Sequence, residues 1–307
     1  MRIRVLGAAA GGGFPQWNCN CEVCRRAWSG AVPAQTQASL AVTADDQTWF
    51  LLNASPDLRA QILATPPLQP RRPGRDTPIA GVVLTNGDVD ALAGLLSLRE
   101  SQPLAVYATG RVLATLAANP IFAVLNPDRV ARRALPLGQA TDLLTQDGSS
   151  SGLRVEAFSV PGKVALYLED AAIEQRLAER SEDTVGLEIT ATASGKRLLH
   201  IPACAGLDDE LRARLRRAPL LFFDGTLWQD DEMIRAGLGA KTGRRMGHLS
   251  VSGPDGSMAA LAELGIARKL FIHINNTNPI LCAGSAERAA VAAAGWEVAQ
   301  DGLDIRL

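Results

Sequence analysis

Histidine is scarce: three residues, His200, His248 and His273, serve a chain of 307. A metal centre that needs four or five imidazoles therefore cannot be built here. Charge of one sign is not in excess either. The 31 Lys and Arg against 32 Asp and Glu leave a formal charge of −1, so no global field draws in nucleic acid or anionic lipid. Neither partner is expected. Long apolar runs are also missing: no charge-free stretch reaches the length of a membrane span. The opening Met1-Arg-Ile-Arg-Val-Leu-Gly7 meets glycine too early to hold the apolar segment of a signal peptide, and a cytoplasmic location is expected. The run Gly11-Gly-Gly13 is followed by neither G-x-G-x-x-G nor G-K-[ST], so dinucleotide and P-loop chemistry lack their backbone and lysine. Cysteine is present in an odd number, five, with three inside six residues, which is no disulfide framework for a chain of this size. Metal ligation is the better reading.

What is there is a globular composition, 47% hydrophobic and 21% charged, long enough for one large layered domain or two ordinary ones. Arg2 to Leu6, Ser39 to Thr43, Thr48 to Leu52, Ile79 to Leu84, Leu104 to Ala108, Leu153 to Val160, Val164 to Leu168, Val185 to Thr190, Arg197 to Ile201, Leu220 to Phe223 and Leu270 to Ile274 read as strands. Trp296 to Leu307 closes the chain as another. Helical spacing falls on Leu58 to Leu63 behind a cap in Asn53-Ala-Ser-Pro-Asp57, and on Ala91 to Glu100, Arg111 to Ala118, Asp208 to Arg217, Pro254 to Leu264 and Ala286 to Ala294. Thr65 to Pro78, with five prolines and three arginines, is a loop whose charge reads as solvation. Glu169 to Thr184 is polar, a helix or a surface excursion. No internal repeat and no linker composition are visible. Interleaved strands and helices suit one α/β domain of two packed sheets covered by helices.

Chemistry-bearing residues cluster in five places. Cys19-Asn-Cys21-Glu-Val-Cys24 can turn three thiolates onto one tetrahedral ion, and Zn²⁺ is the usual occupant of such sulfur-rich sites. A fourth ligand must come from elsewhere, with Asn276, His273, Cys204 and Cys282 as candidates. Taken alone, Cys204 and Cys282 read as small buried hydrophobes. Thr85-Asn86-Gly-Asp88-Val-Asp90-Ala91 follows a buried strand, where an amide and two carboxylates can face one point as a metal site or, alternatively, cap the next helix. Phe223-Asp224-Gly-Thr226, Gly247-His248-Leu-Ser250 and His273-Ile-Asn-Asn276 each put a polar group at or near a strand end. His200, inside Leu-Leu-His-Ile-Pro, reads as a core residue.

Together the segments Gly11-Gly-Gly-Phe-Pro-Gln-Trp-Asn-Cys-Asn-Cys21, Asn53-Ala-Ser-Pro-Asp57, Gly94-Leu-Leu-Ser-Leu-Arg-Glu100, Phe223-Asp-Gly-Thr226 and His273-Ile-Asn-Asn-Thr-Asn-Pro279 resemble the family of the B protein of pyrroloquinoline quinone (PQQ) biosynthesis, from end to end. The resemblance implies a metallo-β-lactamase-like αββα sandwich of two mixed sheets over a single domain, 1–307, with a zinc-binding loop at 15–30. It implies structural Zn²⁺ at Cys19, Cys21 and Cys24, and Asn276 completes the set carried forward. The activity it implies is iron- and oxygen-dependent hydroxylation of the tyrosine ring in a glutamate–tyrosine product of the precursor peptide. Carriage of PQQ or its precursor is the alternative, and other PQQ biosynthesis proteins are the expected partners.

In hydrolases of the wider superfamily the strand is followed by H-x-H-x-D-H, which falls here on Asn86, Asp88, Asp90 and Ala91, while the final histidine falls on His273 and a glycine–histidine pair of related phosphodiesterases on His248. Ligands expected around Pro161-Gly-Lys163 and Ile201-Pro-Ala-Cys204 are absent. A dinuclear zinc hydrolase is thus short of imidazoles, and phosphodiester hydrolysis is the third reading. Asp90 and His273, with His248 or Asp224 nearby and Asp88 and Asn86 beside them, suit mononuclear Fe²⁺ better. The family places a histidine directly after the aspartate, where this chain has Ala91.

Overall fold

The structure, a computed structural model, describes residues 1–169 and 180–307. Its first sheet uses β1 (Arg2–Gly7), β2 (Ser39–Thr43), β3 (Trp49–Leu52), β4 (Ile79–Val83), β5 (Leu104–Ala108) and β6 (Val130–Ala134). The second uses β7 (Ala140–Leu144), β8 (Ser150–Pro161), β9 (Arg180–Ala191), β10 (Arg197–Ile201), β11 (Leu221–Asp224), β12 (Lys269–Ile272) and β13 (Glu297–Val298). The last strand, β14 (Asp304–Arg306), returns to the first sheet beside β1, giving the orders β14-β1-β2-β3-β4-β5-β6 and β13-β12-β11-β10-β9-β8-β7.

Continuous apolar strands work here because both faces of each sheet are covered. Alternation sends Phe50 and Leu52 of β3 into the core between the sheets, and Trp49 and Leu51 outward under the helices Leu58–Leu63 and Gly110–Ala118. In the second sheet Phe222, Leu270 and Ile272 face the same central core, whereas Leu221, Phe223 and Phe271 face the outer layer with the helices Asp209–Leu215 and Ala286–Ala293. The order is helix, sheet, sheet, helix. Deleting a side chain such as Phe222, fully buried in the central layer, is expected to cost about 3–5 kcal/mol.

Several expectations need correction. The helix read over Ala91 to Glu100 starts earlier, at Val89–Leu92, and then tightens into 3₁₀ turns over Ala93–Leu98. The Gly94 N–H donates to Ala54 O at 2.8 Å, and a Cβ there would stand 2.1 Å from Ser55 O, so the backbones meet too closely for any other residue. Val164 to Leu168 is no strand: a 3₁₀ turn covers Leu166–Leu168, and its apolar side chains are exposed. The helix over Pro254 to Leu264 shrinks to Ser257–Ala260 and a 3₁₀ turn at Ala262–Leu264. The single closing strand is two, β13 and β14, in opposite sheets. Edge strands β6 and β7 have mostly exposed, polar side chains and so carry no apolar period in the sequence. Asp57 does not cap its helix; its carboxylate accepts from Gln37 N and Nε2 at 2.9 and 3.0 Å.

A repeat also exists that side chains do not show. In each sheet three antiparallel pairings are followed by three parallel ones. The polar stretch Glu169 to Thr184 lies partly outside the described residues, and from Arg180 onward it is β9.

Candidate metal centres

Parallel strands β4, β11 and β12 all deliver their C-terminal ends to one edge of the sandwich. After β4, Asn53 locks the strand end by accepting from Thr85 N at 2.9 Å and donating from Nδ2 to Thr85 Oγ1 at 2.9 Å. Asn86 Oδ1 then accepts from Asp88 N at 3.0 Å, a local turn that aims the two carboxylates. Asp88 caps nothing; its Oδ1 accepts from Leu166 N at 3.0 Å. Asp90 Oδ2 lies 2.8 Å from His273 Nε2. His273 itself stands at φ +57, a left-handed conformation that costs a non-glycine residue energy and directs the imidazole back across the strand ends.

Thr226 ties the histidines together. Its hydroxyl donates to Asp224 Oδ1 at 2.6 Å and lies 2.9 Å from His273 Nδ1 and 3.1 Å from His248 Nδ1. The His248 Nδ1–H donates to Asp224 Oδ2 at 2.7 Å, which leaves Nε2 with a lone pair. Asp224 is fully buried, and its oxygens also accept from Cys204 N and Thr226 N, so it orients His248 rather than facing an ion. The two rings stack, with centroids 5.2 Å apart. Asp224, His248 and His273 each offer a donor atom within 4.8 Å of the others. Burial opposes charge on both His273 and Asp90, yet their hydrogen bond holds the imidazole above its usual pKa and the carboxylate below its own. Burial, and then the charge of Asp90, push Asp88 upward.

Asn86, Asp88, Asp90, Thr226, His248 and His273 line a cleft of about 600 Å³ with Ala10, Lys163, Met233, Lys241 and Met246 on its walls. A cation fits the donor set: two neighbouring carboxylates are pushed together in a confined space, and an imidazole held by a buried carboxylate is the usual second layer of a metal site. Asp90, His248 and His273 would be its ligands. His200 is buried beneath, with Nδ1 unpartnered among the described residues, and burial lowers its pKa to about 3, so it stays neutral.

The thiolate loop is built differently. Cys21 caps the helix Glu22–Trp28, its Sγ accepting from Cys24 N at 3.4 Å, and Trp28 Nε1 donates to Cys19 O at 2.9 Å. The three sulfurs lie within 4.8 Å of one another. Asn276 comes down onto them: its main-chain O is 3.8 Å from both Cys21 and Cys24 Sγ, and its Nδ2 donates to Cys24 Sγ at 3.3 Å. Asn276 Oδ1 is buried without a partner among the described residues, and turning the amide over brings that oxygen to the sulfurs. An oxygen with no hydrogen bond beside three thiols is what a fourth ligand looks like before its ion, so the residues present fit Zn²⁺. Burial pushes the Cys21 thiol up to about 12, a cost that a bound cation reverses. Cys204 and Cys282 lie apart from this cluster.

A family model described as "Beta-lactamase superfamily domain" matches residues 48–274. Coenzyme PQQ synthesis protein B of Rhodopseudomonas palustris is 56% identical over 308 residues, covering 100% of both chains. The chain belongs to the PqqB family. Zn²⁺-bound PqqB from Methylobacterium extorquens, a crystal structure at 1.98 Å, matches with a TM-score of 0.95 and 50% identity over 100% of both chains. The PqqB fold is thus the metallo-β-lactamase sandwich. A diphosphatase of the PhnP family, at 18% identity and a TM-score of 0.69 over 100% of this chain and 97% of its own, shares the architecture alone.

Sequence reasoning grouped Asn86, Asp88, Asp90, Asp224, His248 and His273; the structure brings five of them to one cleft and buries Asp224 behind His248. It assigned no part to Thr226, although Phe223-Asp-Gly-Thr226 is visible, nor to the wall residues Lys163, Glu169 and Lys241 or to Arg245, which pairs with Glu169; no motif connects them. Among the described residues no helix is long and apolar enough to cross a membrane.

Proposed function

We propose that this PqqB-family chain acts in PQQ biosynthesis as an iron- and oxygen-dependent hydroxylase of the tyrosine ring in a Glu-Tyr intermediate, with a structural zinc on the cysteine loop. The observation that carries the reading is the convergence of one carboxylate, Asp90, and two imidazoles, His248 and His273, on a cleft too poor in histidine for a dinuclear hydrolase. Iron(II) held by these residues would supply the activation of O₂. One oxygen atom replaces a ring hydrogen as hydroxyl, the other leaves as water, and an external reductant provides two electrons and two protons. The chain's own contribution is placement. Asp224 and Thr226 fix the imidazoles, while Leu166, Met233 and Met246 give the ring an apolar wall that limits water. Five free cysteines suit the reducing cytoplasm.

Carriage of PQQ or a precursor is the second reading, favoured by Ala91, which is buried and offers no ligand where the resemblance leads one to expect histidine. The test is metal analysis of anaerobically purified protein, then incubation with Glu-Tyr, Fe(II), ascorbate and O₂ under mass detection. A gain of one oxygen in the product supports hydroxylation. No gain at any iron concentration, together with micromolar or tighter binding of PQQ, replaces it with carriage.

A further inference from the structure

Lys163, Lys241 and Arg245 converge on one carboxylate, that of Glu169, at the wall of the same cleft. Lys163 Nζ lies 3.1 Å from Glu169 Oε1, and Lys241 Nζ and Arg245 Nη2 each lie 3.2 Å from Oε2. Charged side chains as enclosed as Lys163 and Glu169, 10% and 11% exposed, are rare without partners. Lys163 is also held firmly. Its main-chain O accepts from Thr184 Oγ1 at 2.8 Å, and its aliphatic stem lies against Gly247, where at φ +89 a Cβ would come within 3.0 Å of Lys163 Cγ.

The placement of this group relates it to the metal-ready residues. Lys241, Met246 and His248 belong to one short stretch, and Lys163, Lys241 and Glu169 line the cleft together with Asp88, Asp90 and His273. The cleft therefore has an acidic, imidazole-bearing floor and a cationic wall. Glu169 does not exhaust that wall: Lys241 is 40% exposed and, among the described residues, directs one of its three N–H groups to Glu169. Lys163 Nζ donates to Val164 O at 3.1 Å and stands at ion-pair distance from Glu169 Oε1, which leaves it one further N–H group to offer.

We propose that Lys163 and Lys241, braced by Glu169 and Arg245, form the recognition site for carboxylate groups of an aromatic ligand whose ring lies over Asp90, His248 and His273. Glu169 acts as the brace that keeps the ammonium groups aimed, and the ligand's own carboxylates complete their coordination. This rests on the reading of the cleft as the place where an aromatic substrate reacts, and it adds which end of that substrate is held and by what.

Binding to protein that keeps its loop zinc but carries no iron separates the two ideas. Glu-Tyr, with two carboxylates, and Gln-Tyr amide, with none, are titrated calorimetrically into the wild type, Lys163→Gln, Lys241→Gln and Lys163→Arg, with melting curves to confirm folding. Expected is wild-type preference for Glu-Tyr, roughly a tenfold loss of that affinity in each glutamine variant, little change toward Gln-Tyr amide, and recovery in Lys163→Arg. Equal wild-type affinity for both ligands, measurable binding of neither, or equal loss of both in the variants overturns the proposal. Selective carboxylate binding by a protein that never hydroxylates Glu-Tyr leaves this inference standing and removes the hydroxylase reading.

Discussion

The cysteine loop and the carboxylate–imidazole cleft are two metal-ready regions made in opposite ways. In the loop, three donors lie inside six residues, Cys24 is fully buried and a single distant residue, Asn276, closes the set. In the cleft, the donors come from three separate segments, Asp90 and His273 meet across 183 positions, and the group opens onto about 600 Å³. A closed thiolate set contributes to folding, whereas an open mixed set keeps room for a substrate. The regions are nevertheless joined, because the turn after β12 carries His273 to one and Asn276, three residues on, to the other. Order in the loop should therefore reach the cleft, and the reverse should not hold.

The largest effect is expected from Cys21→Ser. Losing a thiolate ligand should release zinc and cost at least about 3 kcal/mol, or roughly 10 °C in melting temperature, and should also weaken the cleft through the 273–276 turn. Metal analysis with calorimetry checks it; a variant that keeps both its zinc and its melting temperature breaks the comparison. His273→Ala is the reciprocal case. Iron binding at the cleft should fall on the order of 100-fold and oxygen uptake with Glu-Tyr should cease, while the loop keeps its zinc. Zinc lost from this variant would move His273 into the thiolate set.

Asp224→Asn should act more gently, lowering iron affinity roughly 10- to 100-fold by releasing the His248 ring, and iron titration followed by absorbance would measure it. Asp301 offers a control carboxylate outside both regions. It accepts from Thr36 N at 2.7 Å and Ala8 N at 3.1 Å, and burial, partly offset by these bonds, raises its pKa from 3.8 to about 6. A carboxylate whose pKa rises on folding favours the native state only when protonated. Its contribution is complete below about 4 and is lost as pH rises to about 6, by at most about 3 kcal/mol before allowing for its partial exposure. The melting-temperature difference between wild type and Asp301→Asn should shift against the wild type across that window and be flat above it, with or without metal. The smallest change is expected from Ala91→His, about tenfold tighter iron binding from one added ligand, against a cost of about 1–3 kcal/mol because Ala91 is buried. Unchanged iron affinity in a folded variant would show that the imidazole does not reach the cleft.

The amino-acid sequence by itself determined most of the strands, the thiolate cluster and the histidine ceiling, because each is a local property: alternation, close spacing or a count. It also carried the family, through motifs as long as Gly11 to Cys21 and His273 to Pro279. Only tertiary structure decided which strand ends meet. Nothing near Thr226 says that its hydroxyl lies between two imidazoles 22 and 47 residues away, and nothing near Lys163 names Glu169, Lys241 and Arg245 as its company. The closing segment makes the same point: Trp296 to Leu307 reads as one strand by its side chains, yet β13 and β14 part into opposite sheets around a turn held by Asp301. A side chain's period reports which face it turns to its neighbours. The identity of those neighbours is set by how distant strands stack, and that information is nowhere local.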